Sequence, residues 1–245
     1  MLRIVSLSGL IAVLWTGQAM AVENGTYIEQ SIEIEAVTGQ PAIQGVQKIW
    51  YTATHIRNEM TYGEQTSISI FDLLKKRVIL IPSDEKQYIE MSLEDYHRIV
   101  AMRLASTDLA APEAEPVLTN TNQQKKIGEW QCTKYIFEQK GKLPVKSVLW
   151  VSKDPSIDFA AYLDLLQKMG IHKMLGKMAE FVGKIEGYPI VVQTELSQKG
   201  QKVVSSQRVL KIADGPVDPK LFMIPEGYQP IKDEIIKKLK ADQGE

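Results

Sequence analysis

The stretch from Ser67 to Met91, S-I-S-I-F-D-L-L-K-K-R-V-I-L-I-P-S-D-E-K-Q-Y-I-E-M, divides into three short strands and two turns. Ile68, Ile70 and Leu73 lead into a turn at Lys75-Lys76. Val78-Ile79-Leu80-Ile81 follows, Pro82-Ser83-Asp84-Glu85 turns the chain again, and Gln87 to Met91 makes the third strand. β-rich residues bounded by turn formers at intervals of roughly 8–12 residues mark an antiparallel meander.

The pattern extends in both directions. Upstream, Thr26 to Val37 alternates Ile28, Ile32, Ile34 and Ala36 with Glu29, Glu33 and Glu35, the period of a half-buried strand with one wet face. Strands over about Gly45 to Ala53 and from His55 to Tyr62 follow, with a turn at Gly63-Glu64. Downstream, Ser92 opens a helix in which Leu93, Tyr96, Ile99 and Val100 share a face, and Asp95 completes a capping-box-like start. Ala105 to Asn122 is rich in Ala, Pro, Thr and Asn and reads as a flexible loop. Strands resume on either side of Gly141, and Asp154-Pro155 opens a second helix that Gly170 stops. A third helix places Ile171, Met174, Leu175, Met178, Phe181 and Val182 on one stripe. Two more strands, Tyr188 to Leu196 and Lys202 to Ile212, precede the closing Leu221 to Tyr228. The expected class is α+β: one strongly curved antiparallel sheet of about ten strands, a half-open β-barrel, with three helices packed on its concave side.

The N-terminus is expected to leave the fold. Arg3 gives a basic start, Ile4 to Trp15 an apolar run, and Ala19-Met20-Ala21 the small residues of a signal-peptidase site. Residues 1–21 are therefore read as a cleaved leader, 22–230 as the half-barrel domain and 231–245 as a charged tail, helical from Ile235 to Leu239. Val22 is not a cysteine, so no lipid anchor is expected, and no later run approaches the ~20 apolar residues of a membrane span. This points to an exported, soluble, periplasmic protein. With 29 basic against 30 acidic residues, the chain lacks the clustered Lys and Arg that bind nucleic acid. Its one cysteine, Cys132, lies in a strand-like stretch and is expected to be buried and inert.

The catalytic inventory is thin. His55, His97 and His172 are scattered, and no zinc, Walker, dinucleotide or nucleophile-elbow motif is present. Ser83-Asp84-Glu85-Lys86 matches S-x-x-K only formally, because it sits in a turn. Glu33 and Glu35 belong to a wet strand face. No enzyme activity, metal or cofactor is expected. The side chains singled out for binding are Leu166, Met169, Met174, Leu175, Met178 and Phe181, soft residues suited to a lid over an apolar cavity; the plainer reading makes them a core-facing helix.

Four blocks carry a resemblance: I-S-I-F-D-L-L-K-K-R-V-I-L-I-P-S-D-E-K-Q-Y-I-E-M-S, I-G-E-W-Q-C-T-K-Y, L-W-V-S-K-D and L-F-M-I-P-E-G-Y. In order and spacing they resemble the exported bacterial domain-of-unknown-function 4412 family over about Thr26 to Tyr228. That family is similar in turn to the periplasmic lipoprotein-carrier fold, an unclosed barrel holding acyl chains under helices. The resemblance implies no catalytic residues, and by fold analogy a carrier for a lipid or other apolar ligand. The alternative is a sensor or adaptor that uses a filled barrel to meet an envelope protein.

Overall fold

Two antiparallel meanders become one sheet because the first strand of the chain pairs with its last long strand. The computed structural model describes residues 22–36, 41–83, 86–105, 115–141, 144–154, 159–168, 183–198 and 201–231. The first meander runs through β1 (Glu23–Ile34), β2 (Ile43–Thr52), β3 (His55–Tyr62), β4 (Gln65–Asp72), β5 (Arg77–Ile81) and β6 (Gln87–Ser92), and ends in helix α1 (Leu93–Ala105). The second comprises β7 (Val117–Ile127), β8 (Trp130–Gln139), β9 (Val145–Ser152), helix α2 (Phe159–Lys168), β10 (Tyr188–Gln198) and β11 (Gln201–Val217). A 3-10 turn over Pro219–Phe222 and the two-residue β12 (Gln229–Pro230) follow. The sheet order is β12-β6-β5-β4-β3-β2-β1-β11-β10-β9-β8-β7, and β12 on β6 is the one parallel pairing among the described residues. The sheet is curved and does not close.

The seam between the meanders is the β1–β11 ladder, from Glu23 opposite Val217 to Ile34 opposite Ser205. Its register shifts between Glu29 and Gln30, leaving Leu210 as the extra residue of a bulge. Such an insertion increases local twist and bends the strand.

The Ser67–Met91 region shows why one sheet carries two cores. Phe71 and Val78 join Ile28, Ile49, Tyr51 and Ile56 on one face, whereas Ile70, Ile79 and Ile81 point to the other and meet Val217 and Phe222. A strand buried on both faces reads as a continuous apolar run, which is what Val78 to Ile81 is. The larger core continues into the second meander through Trp130, Cys132, Tyr188, Ile190 and Val209. Leu93 and Tyr96 from α1 and Tyr162 from α2 pack against it, the Tyr96 ring standing edge-on to Phe71 at 5.3 Å. Each fully buried large apolar side chain contributes about 1.5–3 kcal/mol.

Helix α1 starts as its sequence requires. The Ser92 hydroxyl accepts the Asp95 backbone N–H at 3.0 Å, and Glu94 and Asp95 place negative charge at the positive end of the helix dipole. None of the helices among the described residues is long and apolar enough to cross a membrane.

The architecture departs from expectation in its balance. It is mostly β, with twelve strands rather than about ten and two α-helices among the described residues, so α+β overstates the helical layer. Part of the expected loop is strand: β7 begins at Val117, inside the stretch from Ala105 to Asn122. This strand is exposed along most of its length and is held by backbone pairing to β8, so its residues show no apolar period. Leu73 belongs to the turn, because β4 ends at Asp72 and Lys76 adopts φ 51°. The expected leader, the helix from Ile171 to Val182 and the terminal helix at Ile235 to Leu239 lie outside the described residues.

Candidate functional site

On the helix-bearing face, α2 lays Tyr162 between two strands of different meanders. The Tyr162 ring centroid is 5.9 Å from that of Tyr51 on β2 and 5.5 Å from that of Tyr188 on β10. Tyr51 and Tyr188 are buried. Burial, followed by the neighbouring Tyr51, pushes the Tyr162 hydroxyl up to about 12, and burial lifts that of Tyr188 well above the ordinary phenol range. These groups stay neutral at physiological pH. They present flat apolar bodies with polar tips and do not exchange protons.

Farther along the same strands this face turns polar. Gln30 on β1 donates through Nε2 to Gln47 Oε1 on β2, and Gln47 Nε2 donates to Asn58 Oδ1 on β3 at 2.6 Å. Gln30 alternates with Ile28, Gln47 with Ile49 and Asn58 with Ile56, so the amide ladder continues the apolar face. An amide ladder whose members satisfy one another tolerates burial. The face therefore grades from apolar to polar along the strands.

Of the six side chains singled out from sequence, Leu166 sits half-buried on α2, one turn beyond Tyr162. Met169, Met174, Leu175, Met178 and Phe181 lie outside the described residues. The tyrosine trio was not legible in the sequence, since its members come from three elements separated along the chain, Tyr51 more than a hundred residues from the other two. The tyrosine within the apolar run Phe159 to Leu163 of α2 was the available signal.

A second cluster ties one end of the sheet together. His55 Nδ1 lies 2.8 Å from Thr54 Oγ1, and the Thr54 hydroxyl reaches the Glu23 carboxylate at 2.8 Å. His55 Nε2 is 3.8 Å from Asp72 Oδ1, and the ring stacks on Phe222 at 5.0 Å. Asp72 also accepts the Lys75 backbone N–H at 2.9 Å and Arg77 Nε at 3.3 Å. Thr54, His55 and Asp72 are the residue types of a hydrolytic triad, but His55 is 9% exposed, under Phe222, and its neighbours join β1, two turns and the C-terminal segment. The arrangement is a structural clamp. His97 lies apart on α1, Ser83 and Lys86 are exposed, and Glu33 and Glu35 face solvent. Cys132 is a free, fully buried thiol, and burial pushes its pKa up. Among the described residues no three His, Cys, Asp or Glu side chains stand together as metal ligands.

A family profile described as "Domain of unknown function (DUF4412)" matches residues 31–228, most of the chain. The chain belongs to this family. The DUF4412 match begins inside β1 and ends at Tyr228, so it takes in the last four residues of β1, strands β2 to β11 and both described helices. No curated protein matches. Among solved structures, the chain is similar to an uncharacterized conserved protein from Thermus thermophilus, with 8% identity, TM-score 0.44, and 84% of this chain and 89% of that one covered. It is also similar to a DUF1329 family protein from Desulfovibrio piger (8%, TM-score 0.34, 82% and 90% covered). A third is a putative outer membrane lipoprotein-sorting protein domain from Vibrio parahaemolyticus (7%, TM-score 0.32, 80% and 88% covered).

Proposed function

We propose that this chain is an exported, periplasmic, non-catalytic binding protein that carries a lipid or another ligand with an acyl chain. The ligand lies between the helix-bearing face of the sheet and the helices, under a lid that includes Leu166 and the Met-bearing stripe that follows it. One observation carries the proposal. The face runs apolar across both meanders, is topped by tyrosines that accept both apolar and polar neighbours, and grades into the Gln30–Gln47–Asn58 ladder. That gradient matches the tail and head of an amphiphile.

The test is native mass spectrometry of the protein from Val22 onward, released gently from the periplasm. An added mass that extracts into organic solvent supports the proposal, and Leu166→Asp should remove it while the circular dichroism of the strands is unchanged. Met174→Asp with Met178→Asp should do the same. A clean apo mass after incubation with phospholipid and lipoprotein acyl chains would overturn it. The second reading, an adaptor with a filled barrel, is favoured by the complete burial of Ile28, Val78 and Cys132 in the main core, and it predicts that apo mass.

A further inference from the structure

Charge is sorted between the two faces of the sheet. Followed through the register from Thr26, Ile28, Gln30, Ile32 and Ile34 on β1, the helix-bearing face holds no Lys, Arg or Glu on β1 to β5 or on β8 to β11. Asp214 is the one acid of this face on those strands, and its Oδ1 accepts the Thr26 hydroxyl at 2.5 Å. The same strands place Glu29, Glu33, Lys48, Glu59, Arg208 and Lys211 on the other face.

The helix-bearing face is nonetheless polar at the amide ladder. Gln30 is 2% exposed, whereas Gln47, Asn58 and Ser69 are half-buried. Donation runs one way, from Gln30 to Gln47 to Asn58, and successive bonds of such a chain polarise one another. The chain ends at Asn58 Nδ2, whose N–H groups have no acceptor among the described residues. Ser69, the register partner of Asn58 on β4, makes no side-chain hydrogen bond among them either. A filled core would put apolar side chains at these positions, because polar groups left unpaired on burial are costly. A site for a phosphate or carboxylate would supply Lys or Arg, whose charge-assisted bonds are the stronger ones. Two amide N–H groups beside a hydroxyl, next to Ile49 and Ile56, complement a neutral head that carries a carbonyl and a hydroxyl on an apolar chain.

We propose that the ligand of this face is an acyl ester with an uncharged head, of the acylglycerol class. This rests on the proposed carrier function and specifies the head of its ligand. The ester carbonyl accepts from Asn58 Nδ2, a glycerol hydroxyl bonds the Ser69 hydroxyl, and the acyl chain lies along Ile49, Ile28 and the tyrosines. A carboxylate or phosphate head would leave its charge unpaired at the ladder, which is costly away from water. A cationic head finds no carboxylate beside Asn58 on this face.

The experiment is isothermal titration calorimetry on the full chain from Val22, with ligands that share one dodecanoyl chain. They are 1-monolauroylglycerol, laurate, lauroyl lysophosphatidic acid and lauroylcholine, each below its critical micelle concentration. Monolauroylglycerol is expected to bind at least about tenfold more tightly than any of the charged ligands. Asn58→Leu should weaken its binding about fivefold or more and Ser69→Ala about twofold or more, and each should narrow its lead over laurate. Leu166→Asp, in the lid, should weaken all of the ligands alike. Equal or tighter binding of a charged ligand, or a lead over laurate unchanged in both Asn58→Leu and Ser69→Ala, would overturn the neutral head and leave the carrier function standing. Binding of none of the ligands would overturn the carrier function and the neutral head with it.

Discussion

Asp72 is 4% exposed and holds together a turn, a histidine and an arginine at the end of the sheet. Burial pushes its carboxyl pKa up, but the Lys75 N–H, His55 and Arg77 outweigh burial and hold it below the usual range. A depressed carboxyl stabilises the fold fully above the ordinary Asp value of about 3.9 and loses that contribution as pH falls through its folded value. Asp72→Asn should therefore cost about 1–3 kcal/mol at neutral pH, as donors lose a charged acceptor. In thermal melts at stepped pH the two proteins should converge in acid, and parallel curves would refute the account. Cys132 makes a simpler case. Fully buried, with its thiol pKa raised by burial, it should resist alkylation in the native protein and react only on unfolding; rapid native labelling, followed by mass, would show the site to be open. Cys132 burial and the wet face of Glu33 and Glu35 were legible from alternation along single strands. The clamp around His55 was not, because Glu23, Thr54, Asp72 and Phe222 meet only across strands.

Elements in this fold are specified unequally. Helix α1 announces its start, and Ser92→Ala should cost about 1 kcal/mol by removing the acceptor for the Asp95 N–H, measurable by chemical denaturation. The entry to β10 depends on Gly187, which adopts φ 127° and whose added Cβ would meet the Ser152 carbonyl oxygen at 2.1 Å. Gly187→Ala combines backbone strain with that collision and should cost more than about 1 kcal/mol; a denaturation midpoint unchanged from the parent would rule this out. β3, β5 and β6 were readable almost to the residue, since turn formers bound short β-rich runs. β7 was hidden for the converse reason. Its residues are exposed except for the half-buried Leu118, Thr121 and Ile127, and the pairing that orders it comes from β8. An end strand rich in lysine and amides also discourages edge-to-edge association.

At the scale of the whole molecule, the β1–β11 seam decides how the halves cooperate. Both strands are central, and the main core draws residues from both meanders across them. Hydrogen exchange followed by mass spectrometry should find the amides of β1, β2 and β11 slowest and those of β7 and β12 fastest. Equal protection of β7 and β1 would mean that the seam is not the stable centre. The sequence by itself determined the meander, most strand positions, the start of α1 and the family, because these rest on alternation, turn residues and capping between neighbours in the chain. Only the tertiary structure decided which strands meet at the seam, the two opposed cores and the Tyr51–Tyr162–Tyr188 contact. Each of these joins residues more than a hundred positions apart. A period of two says that a strand has two faces, but not which strand will lie beside it or what will cover each face.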